Sequence, residues 1–281
     1  MQKQLTILIT NYNTSDFIEL LVYSLKKLTK NDYNILINDN GSKKNDLAKL
    51  IKLSEKHSNI FLHFRDSKTE RASLAHGRAL DELMQMANTK YTAIFDSDTA
   101  ILQKDWDESL INKLNEKVKI IGTPLSNKVS ALKGDGIKTY DFPFQFVLLF
   151  ETDIFKRLDI SWQPKEKLEK GFDTAWQLKP KFTLAGFEGE IFIEENTRYY
   201  KQGPFHELIG VAEYYLNENS NIFASHFARG STLGSSKYRK GTNFIYRIPK
   251  IGRLFRNHRG KKDKQKWINI CHKIIDKEVG L

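Results

Sequence analysis

The first hundred residues predict an α/β fold with a mixed, mostly parallel sheet flanked by helices. Short β-branched runs alternate there with stretches of helical periodicity, and each run ends in a polar cluster. Leu5 to Thr10 reads as a buried strand ending at Asn11-Tyr12-Asn13. From Ser15 to Leu28, Phe17, Leu20, Leu21 and Leu25 recur at helical spacing behind a Thr14 or Ser15 cap. Tyr33 to Ile37 is a second strand, stopped by Asn38-Asp39-Asn40-Gly41-Ser42. A helix over 45–57, a strand Ile60 to Phe64, a helix Ala72 to Ala87 and a strand Tyr91 to Phe95 follow. The last of these runs into Asp96-Ser97-Asp98, and in open α/β sheets ligands bind at such strand ends.

Beyond Asp98 the pattern is less regular. A helix is predicted over 105–117, strands over 119–122 and 144–150, and a short helix over 153–158. Residues 161–171 read as a loop, 173–179 as a helix stopped by Pro180, and 190–194 and 221–225 as short strands. The expected organisation is a domain over 1–236, with a nucleotide-binding half at 1–100 and an acceptor half at 101–236, followed by a basic helical tail at 237–281.

The 281 residues are 40% hydrophobic and 12% aromatic, enough for a packed core and incompatible with disorder as the main state. One cysteine excludes an intrachain disulfide framework and a Cys-rich zinc site, and suits a reducing compartment. No run of about 18 apolar residues spans a bilayer, and Leu5 to Thr10 is too short for a signal-peptide core, so a cytoplasmic protein is expected. The net charge of +11 sits wholly in the tail: from Lys237 on there are 14 basic and three acidic residues, while the rest balances at 31 each. That neutral body argues against nucleic acid as a partner.

Asp96-Ser97-Asp98 carries the clearest chemistry. Two carboxylates at i and i+2, leaving an apolar strand across a small residue, converge on one hard cation, Mg²⁺ or Mn²⁺, which bridges to diphosphate oxygens. The alternative is a polar strand-end turn.

Taken together, Ile9-Thr10-Asn11-Tyr12-Asn13, Ile37-Asn38-Asp39-Asn40-Gly41-Ser42 and Phe95-Asp96-Ser97-Asp98 resemble the three ordered motifs of family 2 glycosyltransferases of GT-A (Rossmann-like) fold. The resemblance covers residues 4–100 well and 140–190 loosely, and leaves the tail out. It implies that Thr10, Asn11, Tyr12 and Asn13 line a nucleotide pocket and that Asp39 accepts a hydrogen bond from base or ribose. Asp39 also reads as an Asx-turn residue supporting Asn40-Gly41. Arg71 would face the nucleotide or its phosphates, while His76 departs from the family pattern and reads as a pocket wall or structural residue. The resemblance places Asp96, Ser97 and Asp98 at the sugar nucleotide, with Asp96 and Asp98 as metal ligands.

An inverting transferase needs a general base on the acceptor hydroxyl. The family's acidic pair corresponds here to the stretch Glu169 to Trp176, in which Gly171 and Phe172 break the pair, so the role passes to Asp173. Asp173 also reads as a plain helix cap, and Glu166 and Glu169 are alternatives. His226, after a late apolar strand and before a Gly/Ser loop over 230–236, resembles the late histidine that GT-A enzymes use as a further metal or diphosphate contact.

In the tail, Arg247, Lys250, Arg253, Arg256 and Arg259 interleave with apolar residues, and Trp267, Ile270, Cys271, Ile274 and Ile275 form a helical stripe. Such segments suit an anionic membrane surface, with Phe255 and Trp267 as anchors, or a helix packed on its own domain with solvated lysines. The expected function is therefore metal-dependent transfer of a sugar from a nucleoside-diphosphate sugar to a hydroxyl acceptor. The acceptor class is a glycan or lipid-linked glycan of cell-surface polysaccharide synthesis, met at the inner face of the membrane. A sugar-nucleotide nucleotidyltransferase is the alternative enzyme class, but Asn11 to Ser15 lacks the Gly- and Lys-containing loop those enzymes carry. A non-catalytic glycan-binding protein would not need the aspartate pair.

Overall fold

The structure, a computed structural model, describes residues 3–67, 69–124, 141–165, 174–238 and 248–280. Its strands are β1 (Leu5–Asn11), β2 (Tyr33–Asp39), β3 (Ile60–Phe64), β4 (Tyr91–Asp96), β5 (Thr99–Ile101), β6 (Val118–Pro124), β7 (Pro143–Glu151), β8 (Glu188–Ile191), β9 (Ile193–Asn196), β10 (Ala212–Tyr215) and β11 (Ile222–His226). Its helices are α1 (Ser15–Leu28), α2 (Lys44–Glu55), α3 (Ala72–Met86), α4 (Trp106–Ile111), α5 (Thr152–Arg157), α6 (Leu178–Leu184) and α7 (Pro249–Glu278), with a 3₁₀ turn at Gly230–Thr232. By internal packing they form two units, the first comprising Met1–Ser15, Lys30–Asp96 and Asp107–Ile193, and the second Asp16–Thr29, Ser97–Trp106 and Glu194–Leu281.

The first unit is built on a seven-stranded sheet in the order β3-β2-β1-β4-β7-β6-β8. β1 pairs in parallel with β2 and β4, and β2 with β3, while β7 runs antiparallel to both β4 and β6. This is the mixed, mostly parallel sheet flanked by helices that the sequence predicts. Its core joins Leu8, Ile94, Leu148 and Phe150 of the strands to Leu80, Leu83 and Met84 of α3, with Phe155, Trp162 and Phe182 beyond. Phe155 stacks on Phe150 at 4.7 Å and on Trp162 at 5.0 Å between ring centroids.

α3 also latches the loop that follows α5. The Asp81 carboxylate accepts hydrogen bonds from Ser161 Oγ at 2.7 Å, the Trp162 N–H at 2.8 Å and Gln163 Nε2 at 2.8 Å. One turn earlier, Gly77 lets that loop approach, since a Cβ there would stand 2.6 Å from the Trp162 carbonyl oxygen.

Several elements differ from expectation. The one strand expected over 190–194 is split at Phe192 between β8 and β9, and β5 and β10 are additional. α6 starts at Leu178 with Gln177 at its N-cap, not at 173, and so contains Pro180 as its third residue instead of ending before it. N–H groups in a first turn have no intrahelical acceptor to lose. The helix predicted over 105–117 is the shorter α4, Trp106–Ile111.

The second unit holds a four-stranded sheet, β5-β11-β10-β9, with β11 antiparallel to β5 and β10. On it lies an aromatic cluster in which Trp267 of α7 meets Phe17 of α1 at 5.8 Å, Phe227 at 5.9 Å and Phe205 at 6.4 Å. Trp267 Nε1 donates to Ser225 Oγ at 2.9 Å inside this core. Trp267, Cys271 and Ile275 are fully buried. Their stripe is thus the packed face of α7, and Trp267 does not stand out as a membrane anchor. Gly260 continues the same face and brings α7 against the loop after β11, where a Cβ would sit 2.2 Å from the Leu233 carbonyl oxygen.

Among the described residues, no helix is long and apolar enough to cross a membrane.

Trp267→Ala is expected to cost about 3–5 kcal/mol, the range for emptying a large buried aromatic site, measured by urea denaturation. A loss below about 1 kcal/mol would show that α7 contributes little to the core.

Candidate functional site

In the first unit the strand order reverses beside β1: the chain steps from β1 to β2 to β3 on one side and then crosses to β4 on the other. Ligands of open α/β sheets bind at the C-terminal strand ends around such a point. The register sets Asn11 beside Asp39 and Thr10 beside Asp96.

Asn11 is fully buried and organises these ends. Its amide donates to Asp39 Oδ1 at 2.7 Å, Asp46 Oδ2 at 3.0 Å and Ser42 Oγ at 3.1 Å, and its oxygen accepts from the Thr14 N–H and hydroxyl. Asp39 Oδ2 takes the Ser42 N–H at 3.0 Å, three residues on and not the two of an Asx turn, across a turn in which Gly41 stands at φ +78°. Asn13 adopts φ +58°, tolerable for a short amide, and is tied on both sides: its N–H donates to Ser42 Oγ and its Oδ1 accepts the Lys43 N–H. Thr10 Oγ1 bonds His76 Nδ1 at 2.9 Å, which gives His76 its structural link. The Tyr12 ring is 53% exposed, and Arg71 is exposed at the N-cap position of α3.

Asn40 was not anticipated as a site residue. It is buried, its carbonyl takes the Ser67 hydroxyl at 2.7 Å, and its side-chain Oδ1 is an acceptor with no partner among the described residues. Nothing in its spacing announces this; an asparagine in a turn reads as a turn residue.

Asp96 ends β4, and only Ser97 separates it from Asp98, the residue before β5. In the second unit Asp98 is buried, with Oδ1 3.2 Å from His226 Nε2 and Oδ2 accepting the Gly230 N–H at 2.7 Å. Burial alone would raise the Asp98 carboxyl; the His226 imidazolium and the Gly230 N–H outweigh it and hold the carboxyl below its ordinary value. In the second unit Asp98 and His226 thus pair a carboxylate with an imidazole, donor types that a divalent cation accepts.

The Gly/Ser loop after His226 is a built element. Ala228 and Arg229 at φ +64° and +63° and Leu233 at +51° take left-handed conformations that cost non-glycine residues about 1 kcal/mol or more each. They bracket the 3₁₀ turn and aim the Gly230 N–H at Asp98. Lys237 closes the loop by donating to the Phe227 carbonyl at 2.9 Å from above the Phe227 ring. Burial pulls its ammonium down to about 7, against the opposing influence of Asp263 and Asp98.

The family model for glycosyl transferase family 2 matches residues 6–167. The chain belongs to that family. The match takes in Thr10 to Asn13, Asp39, Arg71 and Asp96 to Asp98. Among solved structures, the chain is similar in fold to the mannosyltransferase PcManGT from Pyrobaculum calidifontis in complex with GDP-Man and Mn²⁺, with TM-score 0.51 and 14% identity over 68% of this chain and 55% of that one. S. aureus TarS residues 1–349 match with TM-score 0.44 and 15% identity over 66% of this chain and 55% of theirs. The same fragment in complex with UDP-GlcNAc matches with TM-score 0.48 and 12% identity over 99% of this chain and 88% of that one. The chain spans about half the length of the first two. No curated protein matches it in sequence. The fold is GT-A. Asp173 lies outside the described residues, as do Glu166 and Glu169.

A Cβ on Gly230 would stand 2.7 Å from Asp98 Cβ and 3.0 Å from its Oδ2. Gly230→Ala is therefore expected to displace the Asp98 carboxylate and to cost about 1–3 kcal/mol by overpacking. Urea denaturation reads the stability, and an unchanged midpoint would show that the turn relaxes freely.

Proposed function

We propose that this family 2 member is a metal-dependent glycosyltransferase that moves a sugar from a nucleoside-diphosphate sugar to a hydroxyl acceptor with inversion. The observation that carries the reading is the buried Asp98 carboxylate, held by His226 and Gly230 two residues beyond the strand end at the sheet's switch point. The fold-mate named above is complexed with a sugar nucleotide and Mn²⁺.

Asp96, Asp98 and His226 would hold Mg²⁺ or Mn²⁺. The fit is chemical: His226 Nε2 and Asp98 Oδ1 stand 3.2 Å apart, an imidazole nitrogen and a buried carboxylate oxygen that could give up the proton between them to a divalent cation. When bound, such an ion neutralises the charge that develops on a departing diphosphate. The chain's own groups do the remaining work. The strand ends fixed by Asn11 and Asp39 present the exposed Tyr12 ring to a base or ribose, and Asn40 Oδ1 offers an acceptor to a base N–H. Arg71 at the start of α3 offers its guanidinium to phosphate oxygens. Asp173 takes the proton from the acceptor hydroxyl as the oxygen attacks the anomeric carbon. A glycan or lipid-linked glycan of cell-surface polysaccharide synthesis is the acceptor class we favour, without a named sugar.

A thermal-shift and calorimetry panel of UDP, GDP, dTDP and CMP with Mn²⁺, Mg²⁺ or EDTA tests the donor. One nucleotide should bind at least about ten-fold more tightly with the metal, and Asp98→Ala should erase that difference; a tenfold change is about 1.4 kcal/mol. Equal binding in EDTA would overturn the reading.

Asp173→Asn should keep donor binding within a few-fold and lower turnover by about 10²–10⁴, as for loss of a general base. A melting temperature held at the wild-type value checks that the variant is folded. Transfer at the wild-type rate would move the base to Glu166 or Glu169.

A further inference from the structure

The first half of α7 has a second side. Gly252, Arg256, Gly260 and Asp263 are buried on the face that continues to Trp267. At 3.6 residues per turn, Ile251, Leu254, Phe255, His258, Lys261 and Lys262 fall on the opposite side. Ile251 is 50% exposed, Leu254 71% and Phe255 45%, a cluster of large apolar side chains left uncovered within two helical turns. Exposed cations surround it at Arg253, Lys261 and Lys262, and between Ile248 and Lys262 the sequence has no Asp or Glu.

We infer that this face of α7 docks on an anionic phospholipid bilayer, with Leu254 and Phe255 entering the headgroup boundary and Lys261 and Lys262 pairing with lipid phosphates. The pairing of charge and apolarity selects the occupant. A neutral protein partner would match the apolar cluster but leave its basic ring unanswered, and a nucleic acid would match the cations but gain nothing from Leu254. A lipid surface satisfies both, because it offers negative headgroups above a hydrocarbon layer. The packed face holds α7 on the second unit through Trp267, so the docking face is presented by a helix fixed along its length. This inference does not depend on the transferase reading.

The test uses the full chain in co-sedimentation with neutral phosphatidylcholine vesicles and with vesicles carrying phosphatidylglycerol. The protein should bind the anionic vesicles at least about ten-fold more strongly, and salt should weaken binding progressively. Lys261→Glu/Lys262→Glu should reduce the partition by about ten-fold or more, and Leu254→Ser/Phe255→Ser should reduce it comparably, with melting temperatures and near-ultraviolet circular dichroism unchanged. Equal binding to both vesicle types, or no binding at low salt, would overturn the inference. So would a concentration-dependent dimer in sedimentation velocity that Leu254→Ser/Phe255→Ser abolishes, since the face would then join two copies. Binding of a DNA duplex as tight as that of anionic vesicles, and indifferent to Leu254→Ser/Phe255→Ser, would assign the cations to nucleic acid.

Discussion

A buried carboxylate must find partners or lose its charge, and Asp98 is the point on which this architecture turns. Its two oxygens are claimed by an imidazole 128 residues away and by a backbone N–H four residues further on. The left-handed conformations at Ala228, Arg229 and Leu233 are local strain that the surrounding packing sustains, and their result is one N–H aimed at one oxygen. The Asp98 carboxylate is thereby held in one orientation by two partners of its own unit.

The support for that arrangement comes from an element that looks separate in sequence. α7 reaches the segment around His226 at three places, through Trp267 on Ser225 and Phe227, Gly260 against Leu233, and Asp263 on the Tyr238 hydroxyl. The basic tail is thus two things on one helix, a buried brace and a charged exterior. Net charge located the exterior; side-chain packing reveals the brace.

Much of the first unit could be read directly. β1, β2 and β4 are β-branched runs with polar ends, which announces parallel strands, whereas the pairing itself sets Asn11 beside Asp39 and Thr10 beside Asp96. Asp96 and Asp98 stand out in the sequence as two carboxylates at i and i+2 after an apolar strand, a pattern that a polar strand-end turn also explains. Gly230 does not, since a glycine in a Gly/Ser stretch looks like slack, and only the neighbouring side chain shows what its missing Cβ accommodates. β5 is three residues long and has no periodicity to detect. The orphaned oxygen of Asn40 is a fact of burial, which composition does not encode. Trp267 fits an apolar stripe whether it faces a core or a lipid, so periodicity left both readings open.

The Tyr23 hydroxyl bonds Asp276 across a separation of 253 residues, and Phe17 packs on Trp267. Contacts of such span are slow to form, because a long loop must close before they contribute. A ribosome delivers α1 long before α7. The strands β1 to β4 can pair while synthesis continues, whereas α1 must wait, its apolar face without its final partner, until α7 emerges. Nascent chains stalled before Trp267 would hold the strands of the first unit and a second unit still lacking its brace.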